Sequence, residues 1–370
     1  MNAVAAADRA QQRHSWLGIP LAVVYKFFDD QGNYLAAAIT YYAFVALFPL
    51  LLLATSVLGF LLQGDSQLQE WALDSTLRGF PIVGDQLGAP EGLQGSVAGV
   101  TLGGLVALYG SMGLGQAIQN AMHVSWSVPR NSRPNPIRLR LKSLLLLLFA
   151  GIALFTITTV SLIGRETTVL GQDVGPLLRW VITAVDTVLI ALVLTFLLRL
   201  AAAQRLSYRK AAPGAIFIAV IWQVLQLVST AYVGRITQET SSMNKTFGLV
   251  LGIIGVIFVA AIIAVLGMEV NVVLARRLWP RALLTPFTDA VELTSADRKA
   301  YAGYARAQRH KGFEEVTVSF DKPTPEREPG REQERSASPV ERSASPVERS
   351  ASSVERSPSS VERSRDHDAP

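Results

Sequence analysis

The chain contains no cysteine, which excludes a disulfide framework, a thiolate metal site and a cysteine nucleophile. Histidine is scarce as well. His14, His123, His310 and His367 are scattered, and no two are close enough to form a local metal pair. There is no G-x-x-x-x-G-K-[ST] loop and no H-E-x-x-H pair, and no G-x-S-x-G elbow. The segments between the apolar runs are too short to house a catalytic domain. Neither enzymatic activity nor a cofactor is therefore expected. The first stretch is polar and lacks a short apolar region with a cleavage site, so no signal peptide is expected.

What the chain does have is long stretches nearly free of charge. Six apolar runs cover Leu35–Leu62, Gly95–Ile118, Ser143–Ile163, Trp180–Leu198, Ala211–Val233 and Phe247–Ala275. Each is close to the ~20 residues that a helix needs to cross a bilayer. A soluble helix has no reason to stay apolar on every side for that length. The expected fold is all-α, a polytopic membrane protein of six transmembrane helices with a disordered C-terminal tail.

The loops alternate in basic content. Arg9, Arg13 and Lys26 precede the first run, and Arg78 is the lone basic residue of the first loop, among five acidic ones. Arg130, Arg133, Arg138, Arg140 and Lys142 fill the second loop, and Arg165 and Arg179 the third. Arg199, Arg205, Arg209 and Lys210 fill the fourth, Arg235 and Lys245 the fifth, and Arg276, Arg277 and Arg281 follow the last run. Basic short loops stay in the cytoplasm, so both termini are expected there, in a multi-pass bacterial inner-membrane protein. The same placement explains the net charge of +5 without nucleic acid.

Residues 1–34 read as a cytoplasmic segment, with Leu17, Leu21, Val24 and Phe28 at the spacing of an amphipathic interfacial helix. The alternative is a helix packed beneath the bundle. Leu73, Leu77 and Phe80 suggest another short helix in the first loop. Residues 35–278 form the membrane domain and 279–316 a juxtamembrane segment, with a helix over Ser295–Arg309 capped by Thr294 or Ser295. Residues 317–370 form the tail, which carries four heptads of the SASPVER type from Ser336 to Arg363. Each heptad has one valine and no second apolar seam position, which excludes a coiled coil.

Ionisable residues inside spans are functional candidates. Asp186 lies roughly 9 Å in from the outer edge and Glu269 roughly 33 Å along the last run, at the inner edge. A bland reading pairs Glu269 with a loop arginine. Gln223 and Gln226, beside Trp222, share one face nearer the midplane and either line a cavity or bond across helices. Gly99, Gly103, Ala107, Ser111 and Gly115 form a small-residue stripe suited to close packing, within the chain or between copies in a homo-oligomer. Gln116, Gln119, Asn120 and His123 gather at the end of that run, as a polar vestibule or a solvated helix end. Pro49 interrupts the first run after Tyr41 and Tyr42, which predicts a kink near Val45.

Several ordered blocks resemble the YihY/virulence factor BrkB family of bacterial inner-membrane proteins. They are YLAAAITYYAFVALFPLLLL over Tyr34–Leu53, Trp126 with Arg133, Pro134 and Arg138 ahead of Ser143, and Pro213-Gly214-Ala215 with Trp222. Lys245-Thr246-Phe247-Gly248 followed by Leu266 to Asn271 completes the set. The resemblance runs over residues 16–278, with Phe247 and Met268 as mild departures. It implies an envelope role, linked in the family to serum resistance or lipid handling. The family has also carried a ribonuclease label, which the lack of His/Asp metal ligands argues against. The expected function is a transporter-like protein that moves, or helps move, a lipid or other envelope component, with membrane lipids as partners. The alternatives are a non-transporting envelope-integrity scaffold and, remotely, a tRNA-processing ribonuclease. Pro49, Tyr41, Tyr42, Asn120, Asp186, Trp222, Gln223, Gln226, Lys245, Glu269 and Asn271 are the candidate transport or structural residues.

Overall fold

A computed structural model describes residues 2–61, 97–165, 176–236, 242–283, 285 and 291–321. The suggested helix at Leu73–Phe80 and the heptad tail lie outside them. Among the described residues the fold is all-helical, without strands. Two short N-terminal helices, α1 (Asn2–Arg13) and α2 (Ser15–Asp29), lead into α3 (Gly32–Leu61). Then come α4 (Val97–Ser125), α5 (Pro136–Arg165), α6 (Pro176–Ala201), α7 (Tyr208–Ile236) and α8 (Ser242–Arg276). A last short helix, α9 (Ser295–Ala307), follows.

The helices α3 to α8 are 26 to 35 residues long. At 1.5 Å per residue each exceeds the ~30 Å hydrocarbon core of a bilayer. Trp180–Ala201 and Val250–Arg276 are the clearest apolar segments, with mean hydropathy 2.5 and 3.0. Their outward faces are apolar and exposed: Val181, Val185, Val188, Leu192 and Phe196 run down α6, and Leu251, Val256 and Val259 down α8. Surface of that kind on several neighbouring helices suits lipid rather than water.

The six long helices close into a ring in chain order. α3 packs on α4, α4 on α5, α5 on α6, α6 on α7, α7 on α8, and α8 returns to α3. Ala36, Ile39, Met122, Leu146, Leu198, Ile218 and Met268 fill the shared core. Small residues set the close approaches. A Cβ on Gly115 would meet Ser143 Cβ of α5 at 2.7 Å, and one on Gly214 would meet the Gly267 carbonyl at 1.9 Å. The described part of the small stripe thus packs inside the chain. Gly99, Gly103 and Ala107 lie in α4, but their surroundings fall outside the described residues. α3 runs as one helix through Pro49, with no interruption of its helical pattern.

Beneath the ring, α2 lies against α8. Ala22 and Val23 join Val272, Val273 and Leu278, with Ala300 of α9, in a second small core. The face of α2 that packs carries Gly18, Ala22, Val23, Lys26 and Phe27. The Leu17, Val24 and Phe28 face is the exposed one. α9 begins where the sequence suggested: the Thr294 hydroxyl accepts from Asp297 N–H and the Asp297 carboxylate accepts from Thr294 N–H, a reciprocal capping box.

Candidate functional site

α2 ends at Asp29, and the turn into α3 passes through Gln31 with φ 56°. This geometry leaves Lys26 and Asp30, four residues apart, facing into the base of the ring. Lys26 Nζ contacts the Asp30 carboxylate directly and lies 3.3 Å from Glu269 Oε2 of α8. Ser125 at the end of α4 donates its hydroxyl to Glu269 Oε1 at 2.6 Å. The exposures of Lys26, Asp30 and Glu269 are 1%, 7% and 0%. Tyr304 of α9 closes the cluster from below, with its ring centroid 5.2 Å from Lys26 Nζ.

Two buried carboxylates share one ammonium at contact distance, with Arg276 acting on Asp30 from the end of α8, and burying these charges is costly. Burial therefore pushes the Asp30 carboxyl up to about 8, against the pull of Lys26 and with the Glu269 charge adding to the rise. Asp30 therefore keeps its proton at neutral pH. Burial also raises the Tyr304 phenol, helped by Asp30 and Asp29.

A second ionic group lies alongside. Arg281 pairs with Asp297 through Nε and with Asp29 through Nη2 at 3.0 Å. Tyr304 donates its hydroxyl to Asp29 at 3.2 Å. The Ala282 N–H donates to Asp297 at 3.0 Å, the Leu283 N–H to Asp8 at 3.0 Å, and Tyr25 to the Leu283 carbonyl at 2.6 Å. These contacts bind α1, α2 and α9 into one cap with a charged interior.

Other polar contacts between the long helices are neutral. Gln119 Nε2 donates to Ser143 Oγ at 2.8 Å and to the Leu139 carbonyl at 3.1 Å. Asn271 Oδ1 accepts from the Gly214 N–H at 2.7 Å, tying α8 to α7. His123 is buried at the end of α4. Gln119 and His123 are thus interior groups rather than a solvated helix end, while Asn120 is exposed.

The other sequence candidates are spread over the bundle. Tyr41 and Tyr42 are exposed and meet edge to face at 5.2 Å. Asp186, Trp222 and Gln223 are half-buried, and Gln226 is exposed. The side chains of Pro49 and Lys245 lie outside the described residues. Glu269 lies about two turns before the end of α8, and its partners are Lys26 and Ser125 instead of a loop arginine. Sequence reasoning missed Lys26, Asp30, Ser125, Arg281 and Asp297 as site residues. The available signal was the i,i+4 pair Lys26–Asp30 at the centre of the face opposite Leu17 and Phe28.

A cavity of about 240 Å³ opens on the α5–α6 side of the ring, lined by Lys142, Phe196, Arg199 and the loop that follows α6. It lies away from the α3–α8 contact.

The sequence profile of the family described as virulence factor BrkB matches residues 23–287. The chain belongs to the BrkB family. The matched stretch of this BrkB-family chain begins within α2 and ends after α8, so it holds Lys26, Asp30, Ser125, Glu269 and Arg281, while Asp297 and Tyr304 fall beyond it. No curated protein and no solved structure matches the chain. Family membership and the exposed apolar helices together make this a membrane protein.

Proposed function

We propose that this BrkB-family chain is a six-span inner-membrane protein, with both termini in the cytoplasm, that moves or helps move a lipid or other envelope component. The supporting observation is the Lys26–Asp30–Glu269 cluster. Its members come from α2, the α2–α3 turn and α8, so gain or loss of a proton changes the attraction that closes the base of the ring. Protonation-sensitive contacts between elements are the means by which carriers without an ATPase domain couple an ion to a conformational change. α2 lies in the membrane interface, with Leu17, Val24 and Phe28 in lipid and Lys26 beneath the bundle. The chain is not an enzyme in this reading, and purified protein leaves tRNA uncut with or without divalent metal.

The test is lipid translocation in vesicles of phosphatidylethanolamine and phosphatidylglycerol, followed with a fluorescent phosphatidylglycerol. The wild-type chain accelerates movement between leaflets, and Glu269→Gln slows it at least tenfold at equal protein level. Equal rates in protein-free and wild-type vesicles would sink the transport reading.

One observation favours the scaffold alternative. Gly214 and Gly267 bring α7 and α8 into backbone contact, sealing the bundle there. A chain that restores envelope integrity to a deletion strain while moving no lipid is a scaffold.

A further inference from the structure

The loop between α6 and α7 crosses the edge of a small, strongly cationic cavity. Lys142 enters from α5, Arg199 from the end of α6 and Arg205 from the loop, and no Asp or Glu lines the space. The flanking sequence offers no counter-charge, since residues 126–165 and 187–238 contain no acidic residue. None of the three cations forms an ion pair within the described residues.

Two of the cations are held in position by the backbone. Lys142 Nζ donates to the Ala202 carbonyl at 2.8 Å. Arg199 Nε donates to the Leu206 carbonyl at 2.9 Å, and its guanidinium stacks 4.2 Å over the Tyr208 ring. Those bonds use one donor on each side chain and leave the two remaining Lys142 protons and the Arg199 terminal amino groups for a ligand. Preorganised arginine donors fit phosphate oxygens, because a planar fork can bond two of them at once.

The opposite wall is apolar. Phe196 and Leu200 line the cavity, and Phe196 meets Phe149 edge to face at 5.1 Å on the outward face of α5 and α6. The space of about 240 Å³ is below the roughly 300–1,000 Å³ of a drug-sized pocket. It suits a headgroup whose chain continues along the exposed apolar surface.

We infer that the cavity between Lys142, Arg199 and Arg205 binds the phosphate of an anionic phospholipid headgroup, with the acyl chain laid against Phe196 and Phe149. Basic pockets between membrane helices take anionic headgroups in this manner. The site rests on the membrane reading above and is independent of transport. Free phosphate shares the chemistry, and the apolar wall decides for the lipid.

The test uses the full chain in mild detergent and counts retained lipid by native mass spectrometry, with phosphatidylglycerol, phosphatidylcholine and inorganic phosphate as separate probes. The wild-type chain retains phosphatidylglycerol over phosphatidylcholine. Arg205→Gln, at an exposed residue with no ion pair among the described residues, weakens retention several-fold, and Arg199→Gln with Arg205→Gln weakens it roughly tenfold or more. Arg9→Gln, the same charge change elsewhere, leaves it unchanged. Equal retention by the wild-type chain and the double variant overturns the site. Stabilisation by inorganic phosphate equal to that by phosphatidylglycerol, lost in the same variants, overturns the assignment to lipid. Neither failure touches the Glu269 flux test, and a loss of flux in Glu269→Gln leaves lipid retention intact.

Discussion

At the scale of single residues, buried Asp30 imposes a pH dependence on stability. Asp30 carries its proton up to about 8 in the folded chain, against 3.8 as the ordinary carboxyl value. The folded state therefore binds a proton that the unfolded state has lost, and the Asp30 contribution declines as pH rises from 3.8 to about 8. The unfolding free energy in detergent should fall as pH rises through that interval, by up to about 1.4 kcal/mol per pH unit for one proton. Asp30→Asn flattens the fall. A profile unchanged by Asp30→Asn would show that the proton resides elsewhere.

At the scale of elements, the α7–α8 contact is the tightest approach at any described glycine of the ring. A methyl group on Gly267 would lie 2.3 Å from Ile218 Cγ1 and 2.9 Å from the Gly214 carbonyl. Gly252 on the same helix has nothing within 4 Å. Gly267→Ala is expected to cost about 1–3 kcal/mol through overpacking, and Gly252→Ala to be neutral or slightly stabilising. Thermal unfolding of the two variants side by side checks this, and equal midpoints would contradict the packing. Elements were also the most legible level of the sequence. The six long helices follow from runs that are apolar on every side, and α9 follows from a cap residue three positions before an acidic one. The site was less legible. Glu269 could be placed by depth along its helix, but its partner Lys26 lies near the other end of the chain. The apolar spacing of Leu17, Leu21, Val24 and Phe28 drew attention to the wrong side of α2 for finding that partner. In α2 the packed face carries Lys26, while Leu17, Val24 and Phe28 are exposed.

At the scale of the whole molecule, the missing cysteines become an experimental advantage. Single cysteines report sidedness without background labelling. Ser132→Cys and Gly312→Cys should react with a membrane-impermeant maleimide only after the cells are opened, and Ser66→Cys should react in intact spheroplasts. The reverse pattern would invert the proposed topology. The ring has a further consequence for how the protein is made. Because neighbours in the chain are neighbours in space, each new helix can pack on the one before it as it leaves the ribosome. The exception is the last joint, where α8 meets α3 and Glu269 meets Lys26. Until α8 is inserted, Lys26 has Asp30 as its sole carboxylate partner in the cluster, and the flank of α3 meant for α8 is bare. Completion of the ring therefore waits for the last of the six long helices, and a chain terminated before α8 displays an open seam for quality-control proteases to read.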